Sequence, residues 1–205
     1  MIITRNVCLR LGVRQDPTAP GILRRGRDFD FHRDSLTIGN ERADFMLFLP
    51  ESSIMEAIYK SHGIRFCYPE EWELSEQNEG EQIAITVSSP LTAFWTVSLF
   101  PDRPDPADLV AAALDAFHEE YKELDDYPSK VRLCGCPTVA REIDFVCLEL
   151  LNTAGIRAFR TRNFTVLVLF QLTEGERGET GPVLDSITRS LACVASVPED
   201  APEEN

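Results

Sequence analysis

From residue 64 onward the apolar and polar positions fall into short, regular runs. Ile64-Arg-Phe-Cys-Tyr68 alternates with the period of two of a half-buried strand and is stopped at Pro69, which has no N–H to give to a ladder. Glu76 to Glu81 reads as a charged loop. Ile83 to Ser88 forms the next strand, ended by Ser89-Pro90, and Phe94 to Phe100 a third, ended by Pro101. In that third strand Trp95, Val97 and Leu99 share one face, with Phe94, Thr96, Ser98 and Phe100 on the other.

The period then changes. Asp105-Pro106-Ala-Asp108 opens a helix: Asp accepts from orphan N–H groups, Pro suits the first helical position, and Asp108 complements the positive end of the dipole. Val110, Ala113, Leu114, Phe117, Tyr121 and Leu124 fall at helical spacing on one side, and Asp125-Asp126-Tyr127-Pro128 ends the element. Lys130 to Cys134 is a short strand. Thr138 to Leu150 reads as one long strand, apolar on both faces as a central strand needs to be. Asn152-Thr-Ala-Gly155 reads as a turn, Ile156 to Arg162 as a strand, and Phe164 to Leu172 as a buried strand joined to it by a tight hairpin. Gly181-Pro182 starts a closing helix with Leu184, Ile187 and Leu191 inward.

The remaining segments lack this order. Residues 1–54 carry 8 Arg, no Lys and 7 acids without a sustained period, whereas residues 55–205 carry 12 basic and 27 acidic residues. Two readings of residues 1–54 stay open: a leader or mistranslated upstream region with Met55 as the natural start, or a genuine extension docked on the sheet. Mass spectrometry of the native N-terminus separates them, and abundant peptides from residues 1–54 exclude the first. Residues 55–193 form the expected domain, and residues 194–205 an acidic tail expected to be disordered. No basic start is followed by an apolar run of secretory length, and nothing reaches the length of a membrane span, so a cytoplasmic location is expected. The net charge of -14 argues against nucleic-acid binding and against a basic membrane surface.

Three strands, a helix, three or four mostly antiparallel strands and a closing helix make an α+β order. That order resembles the PsbP/Mog-like fold. The likeness covers about residues 56–192 and extends to the strand-Tyr-Pro-x-x-Trp run at Phe66 to Trp72, inner-face Phe117 and Tyr121, the Gly135-Cys-Pro137 turn and a last helix ending in Ser190-Leu191. The group includes PsbP, the Mog factor that binds Ran, and DcrB-like bacterial proteins, some of them secretion chaperones. The resemblance implies a central, mostly antiparallel sheet of about six strands covered by helices, an α/β/α sandwich. It implies no common activity, although members mostly act by binding another protein.

Chemical signatures are sparse. The six cysteines, at 8, 67, 134, 136, 147 and 193, contain no Cys-x-x-Cys, and Cys134-Gly-Cys136 has no further Cys or His pair at zinc-site spacing, so no metal site is expected. Cys67 and Cys147 sit in strand patterns as small apolar residues, and a reducing compartment leaves the thiols free. His118 stands beside the inner stripe of the helix, but its neighbours Glu119 and Glu120 do not face it; His62 precedes the first strand and His32 lies in the leader. The six acids from Glu70 to Glu81 lack the spacing of a calcium loop. No nucleophile elbow, phosphate-cradling Gly run or paired His marks a catalytic or cofactor site, and no cofactor is expected.

One basic cluster stands out, Arg157-Ala-Phe-Arg160-Thr-Arg162. In a strand Arg160 and Arg162 share one face and Arg157 takes the other. Two readings apply: cross-strand pairing with acids such as Glu142, Asp144 or Glu149, or an anion or acidic-partner contact using the bidentate guanidinium. The sequence therefore points to a non-catalytic accessory module that binds another protein. The alternatives are an enzyme whose site is assembled from sequence-distant residues and a secretion-chaperone-like protein of the DcrB group.

Overall fold

The computed structural model describes residues 56–193, so the expectations for the leader at 1–54 and the tail at 194–205 lie outside the described residues. Seven antiparallel strands form the main sheet: β3 (Glu73–Glu79), β4 (Gln82–Ser88), β5 (Phe94–Phe100), β11 (Thr165–Thr173), β10 (Leu150–Arg160), β9 (Val139–Cys147) and β6 (Leu124–Pro128), in that spatial order. One helix lies on each face, α1 (Pro106–Glu120) and α2 (Arg177–Ser190). A small sheet of β1 (Glu56–Ser61), β2 (Ile64–Pro69) and β12 (Ala192–Cys193), with β2 central, packs on the α2 side, and β7 (Arg132–Leu133) pairs with β8 (Cys136–Pro137) in a two-residue hairpin. The architecture is α+β, a helix-covered antiparallel sheet as expected, with seven strands where about six were expected.

The alternation of β5 produces the two cores. Trp95, Val97 and Leu99 face α2 and join Ile64, Phe66, Val166, Val168, Phe170, Leu184 and Ile187. Phe94 and Phe100 face α1 and join Val110, Phe117, Ile143, Phe145, Ile156 and Leu169. Thr96 and Ser98 are buried as well, and Thr96 is bonded to Thr86 across the ladder at 2.9 Å. On the α2 side Trp95 Nε1 donates to Thr188 Oγ1 at 3.0 Å, and the Phe66 and Trp95 rings lie 4.8 Å apart. The run from Ile64 to Trp72 is thus core architecture, with Ile64 and Phe66 wholly buried.

Several expected boundaries move. Glu73–Glu79 is an edge strand, so the charged loop begins later than expected. α1 is capped as expected, with Asp105 Oδ1 accepting from Ala107 N at 2.8 Å, but it stops at Glu120. Tyr121 is extended and Leu124 belongs to β6, because residues 124–128 pair with β9. The long strand expected at Thr138–Leu150 breaks at Leu148-Glu149, and the supposed turn Asn152–Gly155 lies in mid-β10, fully paired on both sides. The ring of Phe170 occupies the space where a Cβ on Gly155 would stand, 2.2 Å from Cε1. That glycine serves close packing rather than a turn. α2 begins at Arg177 and contains Pro182.

Candidate functional site

The register of the three strands at one side of the main sheet leaves a hairpin tip uncovered. β6 starts with Leu124 opposite Phe145, and β11 ends with Thr173 opposite Asn152. The β9–β10 ladder continues past both neighbours through Val146↔Leu151 and Cys147↔Leu150. Beyond Phe145 the segment leading into β6 still touches the hairpin, with Val146 N donating to Glu123 O at 3.3 Å and Tyr121 beside Cys147.

What protrudes is apolar on both faces. Leu148 is 83% exposed, Leu150 57%, Leu151 47% and Val146 41%. Four large aliphatic side chains exposed within six residues, on the two faces of one tip, form a local concentration, where singly scattered ones need no explanation. The turn is also conformationally costly: Leu148 has φ 51° and Glu149 φ 64°. Two other two-residue hairpin turns use His62-Gly63 and Cys134-Gly135, which place glycine at the second positive-φ position. At Leu148-Glu149 neither residue is one that favours this region, and each costs about 1–2 kcal/mol there.

The base of the hairpin is rigidly tied. Asp144 on β9 accepts from the Thr153 hydroxyl of β10 at 2.7 Å and from the Tyr127 hydroxyl of β6. The bond to the Asp144 carboxylate, with burial adding to it, pushes the Tyr127 phenol up to about 12. Tyr121 packs on Phe145 with ring centroids 4.4 Å apart, and burial raises its phenol above the ordinary range, assisted by the neighbouring Cys147.

The three arginines are distributed over different surroundings. Arg157 is buried; its guanidinium donates to Glu142 Oε1 at 3.1 Å and sits 4.9 Å from the centre of the Phe170 ring. Arg160 is on the opposite face of β10, exposed, and 3.9 Å from Asp105 Oδ2 at the start of α1. Arg162 is exposed in the turn beyond the end of β10. Arg103, with Nη2 donating to Thr161 O at 3.1 Å, reaches the same turn.

The other titratable groups form local ties. His62 Nε2 is 2.9 Å from Glu76 Oε1, while the Tyr59 hydroxyl donates to Glu76 Oε2 at 2.8 Å. Burial alone would raise the Glu76 carboxyl, but donation from Tyr59 and His62 brings it below its ordinary value. His118 is half-exposed, 3.6 Å from Asp126 Oδ2. Among the described residues no group of three or more His, Cys, Asp or Glu is arranged to hold a metal ion. A mostly apolar cavity of about 160 Å³ lies between β2 and α2, lined by Glu56, Cys67, Tyr68, Pro69, Val183 and Ile187 among others. That is below the roughly 300–1,000 Å³ of ordinary small-molecule sites. No described helix is long and apolar enough to cross a membrane.

Sequence reasoning missed the hairpin tip because Val146-Cys-Leu-Glu-Leu-Leu151 reads as more of a buried strand. It also missed Cys193 as a neighbour of Cys134, since 59 residues separate them.

No protein-family model matches the chain. A search of curated proteins returned no match either. Solved structures similar to it include PA94, a protein of unknown function from Pseudomonas aeruginosa (14% identity, TM-score 0.41, covering 71% of this chain and 99% of that one). Another is LpqN of Mycobacterium tuberculosis, involved in cell envelope biogenesis (13% identity, TM-score 0.43, 69% and 91%). A third is the cyanobacterial PsbP, CyanoP, of Synechocystis (14% identity, TM-score 0.44, 70% and 95%). A PsbP is therefore among the structures this chain is similar to.

Proposed function

We propose that the chain is a non-catalytic, cytoplasmic protein-binding module that seats the β9–β10 hairpin tip in an apolar groove of another protein. The observation that carries this reading is the uncovered cluster Val146, Leu148, Leu150 and Leu151, presented on a turn that neither Leu148 nor Glu149 favours. Burying what these four side chains still expose would contribute about 1 kcal/mol each, and more for Leu148, before the costs of association. The chain from residue 55 onward is acidic as a whole, with 27 acids against 12 basic residues, so a partner with a basic rim is expected.

The test uses the full chain in its own host, with a photo-crosslinking amino acid at position 148 and, as a control, at exposed Asp108 on α1. A discrete adduct is expected from position 148 alone, and Leu150→Asp in the same chain is expected to abolish it without lowering the Tm. An adduct that persists through Leu150→Asp, or the same adduct from position 108, rules the hairpin out as the contact.

A second contact is favoured by the exposed Arg160 and Arg162, with Arg103 beside them. Ten residues of β10 separate Leu150 from Arg160, roughly 33 Å at strand rise, so the arginines would meet a different, acidic part of the partner. Arg160→Glu with Arg162→Glu should weaken capture of the same partner about tenfold while leaving the Tm in place. An unchanged affinity removes the second contact and leaves the first.

A further inference from the structure

Two thiols of one hairpin, Cys134 and Cys136, and a third 59 residues from Cys134, Cys193, meet where the chain leaves α2. The pairing of β12 with β2, Cys193 opposite Ile64, brings Cys193 to the β7–β8 hairpin. There the Cys193 thiol lies 3.4 Å from Cys134 Sγ and donates to it. Cys134 Sγ also lies 3.3 Å from Leu191 O, and Cys136 Sγ lies 3.7 Å from Cys134 O. Cys134 occupies the first positive-φ position of the hairpin turn, φ 50°, next to Gly135 at φ 73°. All three are half-buried, so none is sealed from solvent.

We propose that Cys134 and Cys193 form a dithiol switch that a hydroperoxide closes to a disulfide. The direction of the thiol–thiol hydrogen bond, with Cys193 as donor and Cys134 as acceptor, assigns the roles. Donation from the Cys193 thiol favours the Cys134 thiolate, bringing that thiol to about 7 against the opposing effect of burial, whereas the bond to Cys134, with burial, raises Cys193. Cys134 is therefore the attacking sulfur and Cys193 the resolving one.

In the first step the Cys134 thiolate attacks one peroxide oxygen, forming an S–O bond as the O–O bond breaks and hydroxide leaves. In the second, the Cys193 sulfur attacks the sulfenic sulfur. The S–S bond forms, the S–O bond breaks, and the departing hydroxyl takes the Cys193 proton and leaves as water, while the hydroxide of the first step takes up the proton that Cys134 had given to solvent. Two thiols lose two electrons and two protons, and one hydroperoxide is reduced by two electrons. The bond closes a loop from 134 to 193 and ties the strand that ends α2 to the β7–β8 hairpin.

The test treats the full chain, freed of reductant, with hydrogen peroxide and maps the products by mass spectrometry. A Cys134–Cys193 cross-linked peptide is expected, with a rise in Tm of about 10 °C that dithiothreitol reverses. Cys193→Ser should remove the rise and leave Cys134 trappable by dimedone, while a Cys67→Ser, Cys147→Ser chain should respond as the parent does. Cross-linking of Cys134 to Cys136 instead, or no cross-link while Cys134 is oxidised, overturns the proposal.

Discussion

Glu176 shows how much one side chain organises. Its carboxylate accepts from Thr92 N at 3.0 Å, Ala93 N at 3.3 Å, Thr173 N at 3.2 Å and the Thr173 hydroxyl at 2.6 Å, and also from the Thr92 hydroxyl. It therefore staples the β4–β5 connection to the start of α2. Burial works against its charge, but the donations outweigh it and bring the carboxyl from its ordinary 4.5 down to about 2. The folded state thus binds this proton less readily than the unfolded one. The stabilisation is complete above about 4.5 and is lost as the pH falls through 2. Glu176→Gln, which keeps the shape but supplies one acceptor oxygen, should cost about 1–3 kcal/mol near neutral pH. Urea titration should show the variant and the parent converging as the pH approaches 2. Gly155 is the second residue whose role is set by a neighbour: a methyl there must displace the Phe170 ring and, with it, the Arg157 guanidinium. Gly155→Ala should cost about 1–3 kcal/mol in thermal or urea unfolding, and the backbone of β10 gives no reason for an exemption, since this glycine needs no positive φ.

At the scale of elements, the β9–β10 hairpin separates stability from function. Leu148→Asn with Glu149→Gly places residues that tolerate positive φ at both turn positions, and should stabilise the domain by about 1–2 kcal/mol in urea unfolding. The same double substitution removes the most exposed leucine, so capture of the partner should fall while stability rises, a trade expected where strain is kept for function. Stability unchanged or lowered would show that the turn is not strained. This hairpin also shows which elements the sequence makes legible. β5 and β11 are legible as unbroken, largely apolar runs because both of their faces are buried, α1 by its inner stripe, and the capping residues Asp105-Pro106 mark that helix plainly. β3, Glu-Leu-Ser-Glu-Gln-Asn-Glu, has one large apolar residue, Leu74, because it is a solvated edge, so periodicity has nothing to report. β1 is hidden similarly, with Ile58 57% exposed. The turn at Leu148-Glu149 contains no turn former, and Asn152–Gly155 contains two while being a strand. Local chemistry misleads at both places because tertiary packing on Phe170 and an uncovered tip decide them. The arginines show the same limit: the alternation of β10 does place Arg157 and Arg160 on opposite faces, but only the packed structure shows Arg157 committed to Glu142 and Phe170.

At the scale of the whole molecule, the acidic charge is placed where an open sheet is most exposed to self-pairing. Among the described residues the main sheet ends in β3 on one side and β6 on the other, each with one edge that no described strand pairs. Glu73 and Glu76 stand on the first, and Asp125, Asp126 and Pro128 on the second. Charge and proline on edge strands are the means by which sheets avoid joining edge to edge. At neutral pH a chain of net charge -14 repels its copies; near pH 4.6 that repulsion vanishes while the backbone edges remain. The chain should therefore be monomeric by light scattering at neutral pH and associate near pH 4.6. Nonspecific precipitation is distinguished by position. Ser75→Lys with Asp125→Lys puts a positive charge on each edge that persists at pH 4.6, and this should restore the monomer there. The same pair of lysines placed instead at the exposed Asp108 and Glu179 shifts the net charge at least as far but leaves the edges bare, and association should continue. If both pairs restore the monomer, net charge alone keeps the chains apart, and the acids of β3 and β6 have no special part in it.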